Sequence, residues 1–172
     1  MLFRSDRIQT IAIYYRCIRN GGAQRVVAIL ANEWSKMRDE NGKPLYRVIL
    51  VTDEETEEQK AIPEYDLEQE VIRAYVPVFE KDHKVDYKAR YCGWRDIVTK
   101  YNVDLVVTGM WTASSTLWDM LSVKGQPSKP GFVIHAHNFT CVPMQLISDK
   151  FAELMFDYQI CDGVVTLSDV DK

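Results

Sequence analysis

The chain has 172 residues, of which 47% are hydrophobic and 27% charged, and 21 basic against 25 acidic side chains leave a net charge of −4. That length suits one domain with one substantial core and is short for two. The apolar share excludes a disordered chain, and the acidic balance disfavours a general nucleic-acid binder, although a local basic patch would pass the same test. In chain order, residues 1–7 lack the apolar core and cleavage site of a secretion signal. Six short, nearly continuous apolar runs then read as strands buried on both faces: 11–15, 48–51, 71–76, 103–107, 132–134 and 164–167. Between them come segments of helical period. Val26, Val27, Leu30, Ala31, Trp34 and Met37 form the first stripe, and Val85, Ala89, Cys92, Ile97 and Tyr101 a less regular second. Ala113, Leu117, Met120 and Leu121 form the third, and Ile147, Phe151, Leu154, Met155 and Tyr158 the cleanest. The link over 51–71 has no clear helical period, and 41–44 and 126–131 are turns by composition. No run approaches a membrane span, since Arg73 breaks even the stretch over 71–79.

Strands alternating with single helices imply right-handed crossovers. The expected fold is therefore a Rossmann-like α/β unit over 1–172, with a mainly parallel sheet of about six strands and helices on both faces. The four cysteines (Cys17, Cys92, Cys141, Cys161) form no C-x-x-C and no metal spacing, which predicts reduced thiols in a cytoplasmic protein.

In such a sheet ligands bind beyond the carboxyl ends of the strands, so the residues following each strand carry the information. Gly21 and Gly22 open the first helix. They either bare backbone N–H groups for an anion or merely let the chain turn, and the glycines alone favour neither. Neither G-x-G-x-x-G nor G-x-x-x-x-G-K-[ST] is present. His135 and His137 alternate on the fifth strand and share a side, with His137 at its end. An imidazole there can hold a sugar hydroxyl or stabilise charge, although a structural histidine is the commoner use. With three histidines in all and no adjoining carboxylate pair, zinc is disfavoured. Asp169 and Asp171 make a D-x-D triplet, but Ser168 with Asp171 also makes a helix-capping pair, which is the preferred reading. Trp111 is expected in the core and the acidic run 53–58 as an exposed flexible loop. Residues 81–84, mildly basic together with Lys88 and Arg90, could touch an anionic acceptor or membrane surface, but a solvated helix start is the preferred reading.

These pieces in succession resemble the N-terminal domain of a family 4 glycosyltransferase of the GT-B fold. The resemblance rests on Ile11-Ala12-Ile13, on Gly21-Gly22-Ala23-Gln24-Arg25-Val26-Val27, and on Tyr46 to Thr52. It continues through Asp104-Leu105-Val106-Val107, His137-Asn138 and Cys161 to Ser168. It implies that Gly21 and Gly22 lie against the donor diphosphate and near the acceptor. His137, rather than His135, would stand close to the reacting sugar as the catalytic residue, and Asn138 would take a position that is acidic or polar in many members. It also implies a retaining transfer from a nucleotide-sugar to a carbohydrate or lipid-linked acceptor, with no metal and no further cofactor. Localisation would be cytoplasmic, with peripheral membrane contact an option. Family members carry a second Rossmann domain that holds most donor contacts and an E-x7-E-like motif. Nothing over 1–172 corresponds to it, so the resemblance implies an acceptor-side half that is inactive alone. Two other classes fit the residues: a Rossmann-like nucleotide-binding module, and a non-catalytic interaction domain.

Overall fold

The computed structural model describes residues 7–110, 113–136 and 151–166. Along the chain run β1 (Gln9–Tyr14), α1 (Gly22–Lys36), β2 (Tyr46–Asp53), α2 (Glu57–Lys60) and β3 (Ile72–Val76). There follow β4 (Glu80–Lys81), β5 (Lys84–Val85), α3 (Tyr87–Tyr101) and β6 (Leu105–Thr108). The chain continues through α4 (Ser115–Lys124), β7 (Gly131–His135), α5 (Phe151–Ile160) and β8 (Gly163–Val165). Six strands make one sheet in the order β3-β2-β1-β6-β7-β8, with every neighbouring pair parallel. The fold is the Rossmann-like α/β arrangement that the apolar runs predict.

Alternation along the strands divides the core in two. Ile11, Ile13, Val48 and Leu50 face Val27 and Ala31 of α1. Ala12, Tyr14, Ile49 and Val51 face Trp94, Ile97 and Val98 of α3, with Met120 and Val123 of α4 on the same layer. Both sides of β1 and β2 are therefore dry, which is why their sequences read as unbroken apolar runs. The α3 layer is tight. A Cβ at Gly93 would lie 2.4 Å from the Pro77 ring, so glycine lets the helix close on the segment leaving β3.

Several expectations need correction. Val71 and Val103 are buried but precede their strands, because their N–H groups close turns onto Glu68 and Val98. Residues 81–84 do not start a helix. They form the β4–β5 hairpin, with Asp82 and His83 both at positive φ, and α3 begins only after Asp86 caps it through the Ala89 N–H. The fourth crossover helix starts at Ser115 rather than at Ala113. Between β2 and β3 the only helix is the four-residue α2, closed by a Thr56–Gln59 capping box. Most of this connection is irregular, in keeping with its lack of period.

Strand order reverses between β1 and β6, where successive connections leave in opposite directions. That is the place where the carboxyl edge of a parallel sheet opens a crevice.

Candidate functional site

The loop leaving β1 meets the crevice first. Ile18 is fully buried on the α1 side and anchors it. The left-handed residue of the turn is Asn20, with φ 41°, and not a glycine. Gly21 is extended at φ 165° and ψ 155°, a conformation open to any residue, and Gly22 is the first residue of α1. A Cβ at Gly22 would have no neighbour within 4 Å, whereas one at Gly21 would meet the flexible end of the Gln24 side chain. The chain reversal therefore does not demand the glycines, and Gly22 keeps open a surface that the fold leaves unused. No side chain caps α1, and its first turn carries no acidic residue. The first-turn N–H groups and the helix dipole together favour an anion at this corner.

The corner is bolted down from the β2–β3 connection. The Gly21 N–H donates to the Tyr65 hydroxyl at 3.2 Å, and that hydroxyl donates to the Gly21 carbonyl at 3.3 Å. Arg19 forms a bidentate pair with Glu55, 2.7 Å through Nη2, and donates through Nε to the Ile62 carbonyl at 2.8 Å. Glu64 lies between Arg19 (3.3 Å) and Arg73 (3.1 Å). Arg73 Nη1 is buried without a hydrogen-bond partner among the described residues, and the Tyr75 ring 5.1 Å beneath the guanidinium offsets part of that cost. The hydrogen bond from Arg19 and its charge hold the Glu55 carboxyl below its ordinary range, and the same bond raises Arg19.

The expectation of an exposed flexible loop over 53–58 fails at two positions. Glu54, Glu57 and Glu58 are exposed, but the Glu55 side chain is buried against Arg19, and Asp53 ends β2 inside a second charged cluster. Arg90 of α3, 0% exposed, donates to both oxygens of Asp119 (1% exposed) at 2.7 and 2.8 Å. It also donates to Asp53 at 2.6 Å and to the Pro77 carbonyl at 2.7 Å. The Tyr14 hydroxyl donates to Asp53 and the Trp94 indole N–H to Asp119. Burial raises the Tyr14 pKa, so its hydroxyl keeps the proton it donates, and the Arg90 guanidinium lies over its ring at 4.9 Å. Burial alone would lower Arg90; the hydrogen bonds and charge of Asp119 more than reverse that, so the guanidinium stays ionised. Asp53 Oδ2 has a further, looser neighbour in Arg16 at 3.8 Å, whose side chain is 64% exposed.

This cluster closes the carboxyl ends of β1 and β2 beneath α3 and α4. It also commits the acidic residue at the end of β2, which dinucleotide-binding folds use for a ribose hydroxyl, to an inward role.

His135 ends β7, half-buried on the α1 side of the sheet, and burial lowers its pKa. Because the sheet is parallel, the exit of β7 and the diglycine corner share one edge. Two strand spacings, ~10 Å, separate the tips of β1 and β7. His137, Asn138, Trp111 and the Ser168–Asp171 segment lie outside the described residues. Sequence reasoning missed Tyr65 and Asp119, and it placed Arg90 in a solvated, mildly basic stretch, whereas Arg90 is fully buried and paired with Asp119. Tyr65 sits in a segment without period, and the other two interrupt apolar stripes with charges that gave no sign of being paired.

No protein-family model matches the chain, and no curated protein matches it in sequence. Whatever function is assigned must therefore rest on the geometry. Among the described residues no helix is long and apolar enough to cross a membrane.

Two outcomes follow. Arg90→Met strands two buried carboxylates and should cost about 3–5 kcal/mol in urea denaturation, whereas a loss below about 1 kcal/mol would show the cluster to be dispensable. Acid should act in two steps. The lowered His135 pKa makes its contribution complete above about pH 6.5 and lost below it, and Glu55 behaves likewise below about pH 4.3. His135→Gln should abolish the upper step in a series of unfolding midpoints. Its persistence would assign that step to another group.

Proposed function

We propose that this chain is the acceptor-side half of a retaining GT-B-type glycosyltransferase, which moves a sugar from a nucleotide-sugar to a carbohydrate or lipid-linked acceptor. The observation that carries this reading is the bare, unfilled Cβ position of Gly22, at a helix start on the carboxyl edge beside the strand-order reversal. A glycine that neither backbone angle nor packing requires is what close approach of a phosphate needs.

In the reaction the bond between the anomeric carbon and the diphosphate breaks. The acceptor oxygen forms the new bond and its proton passes to the departing diphosphate, on which negative charge develops as the old bond breaks. The N–H groups of the first turn of α1 would stabilise that charge, without the reorganisation that water would need. His137 and Asn138, on the segment leaving β7, are assigned to orienting the transferring sugar or the acceptor. Most nucleotide contacts would come from a second Rossmann domain, so the isolated chain is expected to be inactive. No metal or other cofactor is assigned.

The acceptor reading extends to the outer surface of α3 and α4. There Tyr87 (48% exposed) packs against Phe79 and Trp118 (40% exposed), next to the β4–β5 hairpin. Glu80 and Asp82 balance Lys81 and Lys84 on that hairpin, so any contact with a lipid-linked acceptor or a membrane would be apolar in origin rather than electrostatic. A cytoplasmic setting, where nucleotide-sugars serve as donors, completes the proposal.

Gly22→Ala tests it directly. A methyl there meets nothing in the fold and gains up to about 1 kcal/mol of helix propensity. Stability should therefore hold or rise, while nucleoside diphosphate release from a nucleotide-sugar by the natural polypeptide falls about a hundred-fold. Unchanged turnover, or no release from any nucleotide-sugar by the unmodified natural polypeptide, would overturn the assignment.

A further inference from the structure

We infer that Tyr65 is a positioning residue of the diglycine corner, and that the β2–β3 connection works as a clasp setting the direction of the first N–H groups of α1. The inference rests on the glycosyltransferase reading only for what those groups bind; the clasp itself stands on separate contacts.

Gly21 has no side chain to fix its own conformation, and glycine has the widest backbone choice of any residue. Its extended conformation at the start of α1 must therefore be imposed from outside. One hydroxyl, 44 residues further along the chain, does so by accepting from the Gly21 N–H at 3.2 Å and donating to the Gly21 carbonyl at 3.3 Å. That carbonyl also accepts the first bond of the helix, from the Arg25 N–H at 3.0 Å. A single side-chain group thus bridges both polar atoms of the residue from which α1 departs.

Tyr65 is itself held. Its N–H donates to the Ile18 carbonyl at 3.0 Å, and its neighbours Ile62 and Glu64 are tied to Arg19. Further along, the same connection grips the middle and end of α1. Asn32 donates to the Asp66 carbonyl and accepts from the Glu68 N–H, and Lys36 pairs with Glu68 at 2.8 Å. An irregular connection that touches one helix at its start, middle and end fixes the rotation and height of that helix relative to the strand tips. Tyr65 contacts Gly21 and leaves Gly22 clear, so it can orient the corner without filling it.

The test is Tyr65→Phe in the whole chain, which removes one oxygen. Amide hydrogen exchange should quicken about ten-fold or more at Gly21, whose N–H loses its acceptor, and at Arg25, whose N–H donates to the Gly21 carbonyl, and stay unchanged in β1, β2 and the rest of α1. Unchanged exchange at the corner, or a uniform rise that follows a fall in global stability, would overturn the inference. Should Phe prevent folding, Tyr65→His keeps a polar ring, and the same local-versus-global comparison applies. Inorganic pyrophosphate supplies the second arm. If the unmodified chain binds it at Gly22, Tyr65→Phe should weaken binding about ten-fold with an unchanged unfolding midpoint, and equal affinity in the two proteins would count against positioning. Local quickening with no pyrophosphate uptake by either protein would leave the clasp standing and remove the phosphate reading.

Discussion

One buried guanidinium organises the carboxyl edge of this molecule. Arg90 lies on a crossover helix, yet its partners are the terminal carboxylate of β2, a carboxylate on α4 and the carbonyl that follows β3. Removing such a charge from water is expensive, and only full pairing makes it tolerable. The helices α3 and α4 can therefore sit at only one height relative to the strand ends. Tyr14 and Trp94, packed edge-to-face at 5.5 Å, lend the cluster their polar hydrogens and surround it with ring. The carboxyl edge is thus tied together on the α3 side by side chains of the strands and helices themselves.

The α1 side solves the same problem with a more open construction. Arg19, Glu55, Glu64 and Arg73 link the loop after β1 to the loop after β2 and to the edge strand β3. The charges of Arg19, Glu55, Glu64 and Arg73 are used up in these pairs, so what they leave at the corner are the backbone N–H groups of the first turn of α1, with the exposed Arg25 and Arg16 nearby. On the proposed reading these N–H groups would hold the departing diphosphate, because fixed dipoles select an anion.

Much of the fold was legible because both faces of β1, β2 and β6 are covered, so their residues form continuous apolar runs that no solvated strand would show. The Gly21–Gly22 corner was legible as a place, though not as a choice between turn and ligand surface; the φ angles of Asn20 and Gly21 show only that the turn does not require the glycines. The charged clusters were hidden for a simple reason. Asp53 and Glu55 belong to a run of acids, and a run of like charges reads as solvated until their partners, far along the chain, are known. Tyr65 was invisible because a residue that acts through its hydroxyl leaves no periodic trace. The β4–β5 hairpin was missed because its turn is built by Asp82 and His83 at positive φ, without the glycine that usually marks such a turn.

On the proposed reading, the carboxyl edge beside Gly22 receives the diphosphate of a nucleotide-sugar. Mapping backbone amide shifts of the whole chain during titration with a nucleoside diphosphate tests it most directly. Weak binding is expected, with the largest shifts on Gly22, Ala23 and Gln24 and on the segment that follows β7. Shifts gathered at the amino edge around Arg38, Tyr46 and Glu70, or an unchanged spectrum at millimolar ligand, would contradict it.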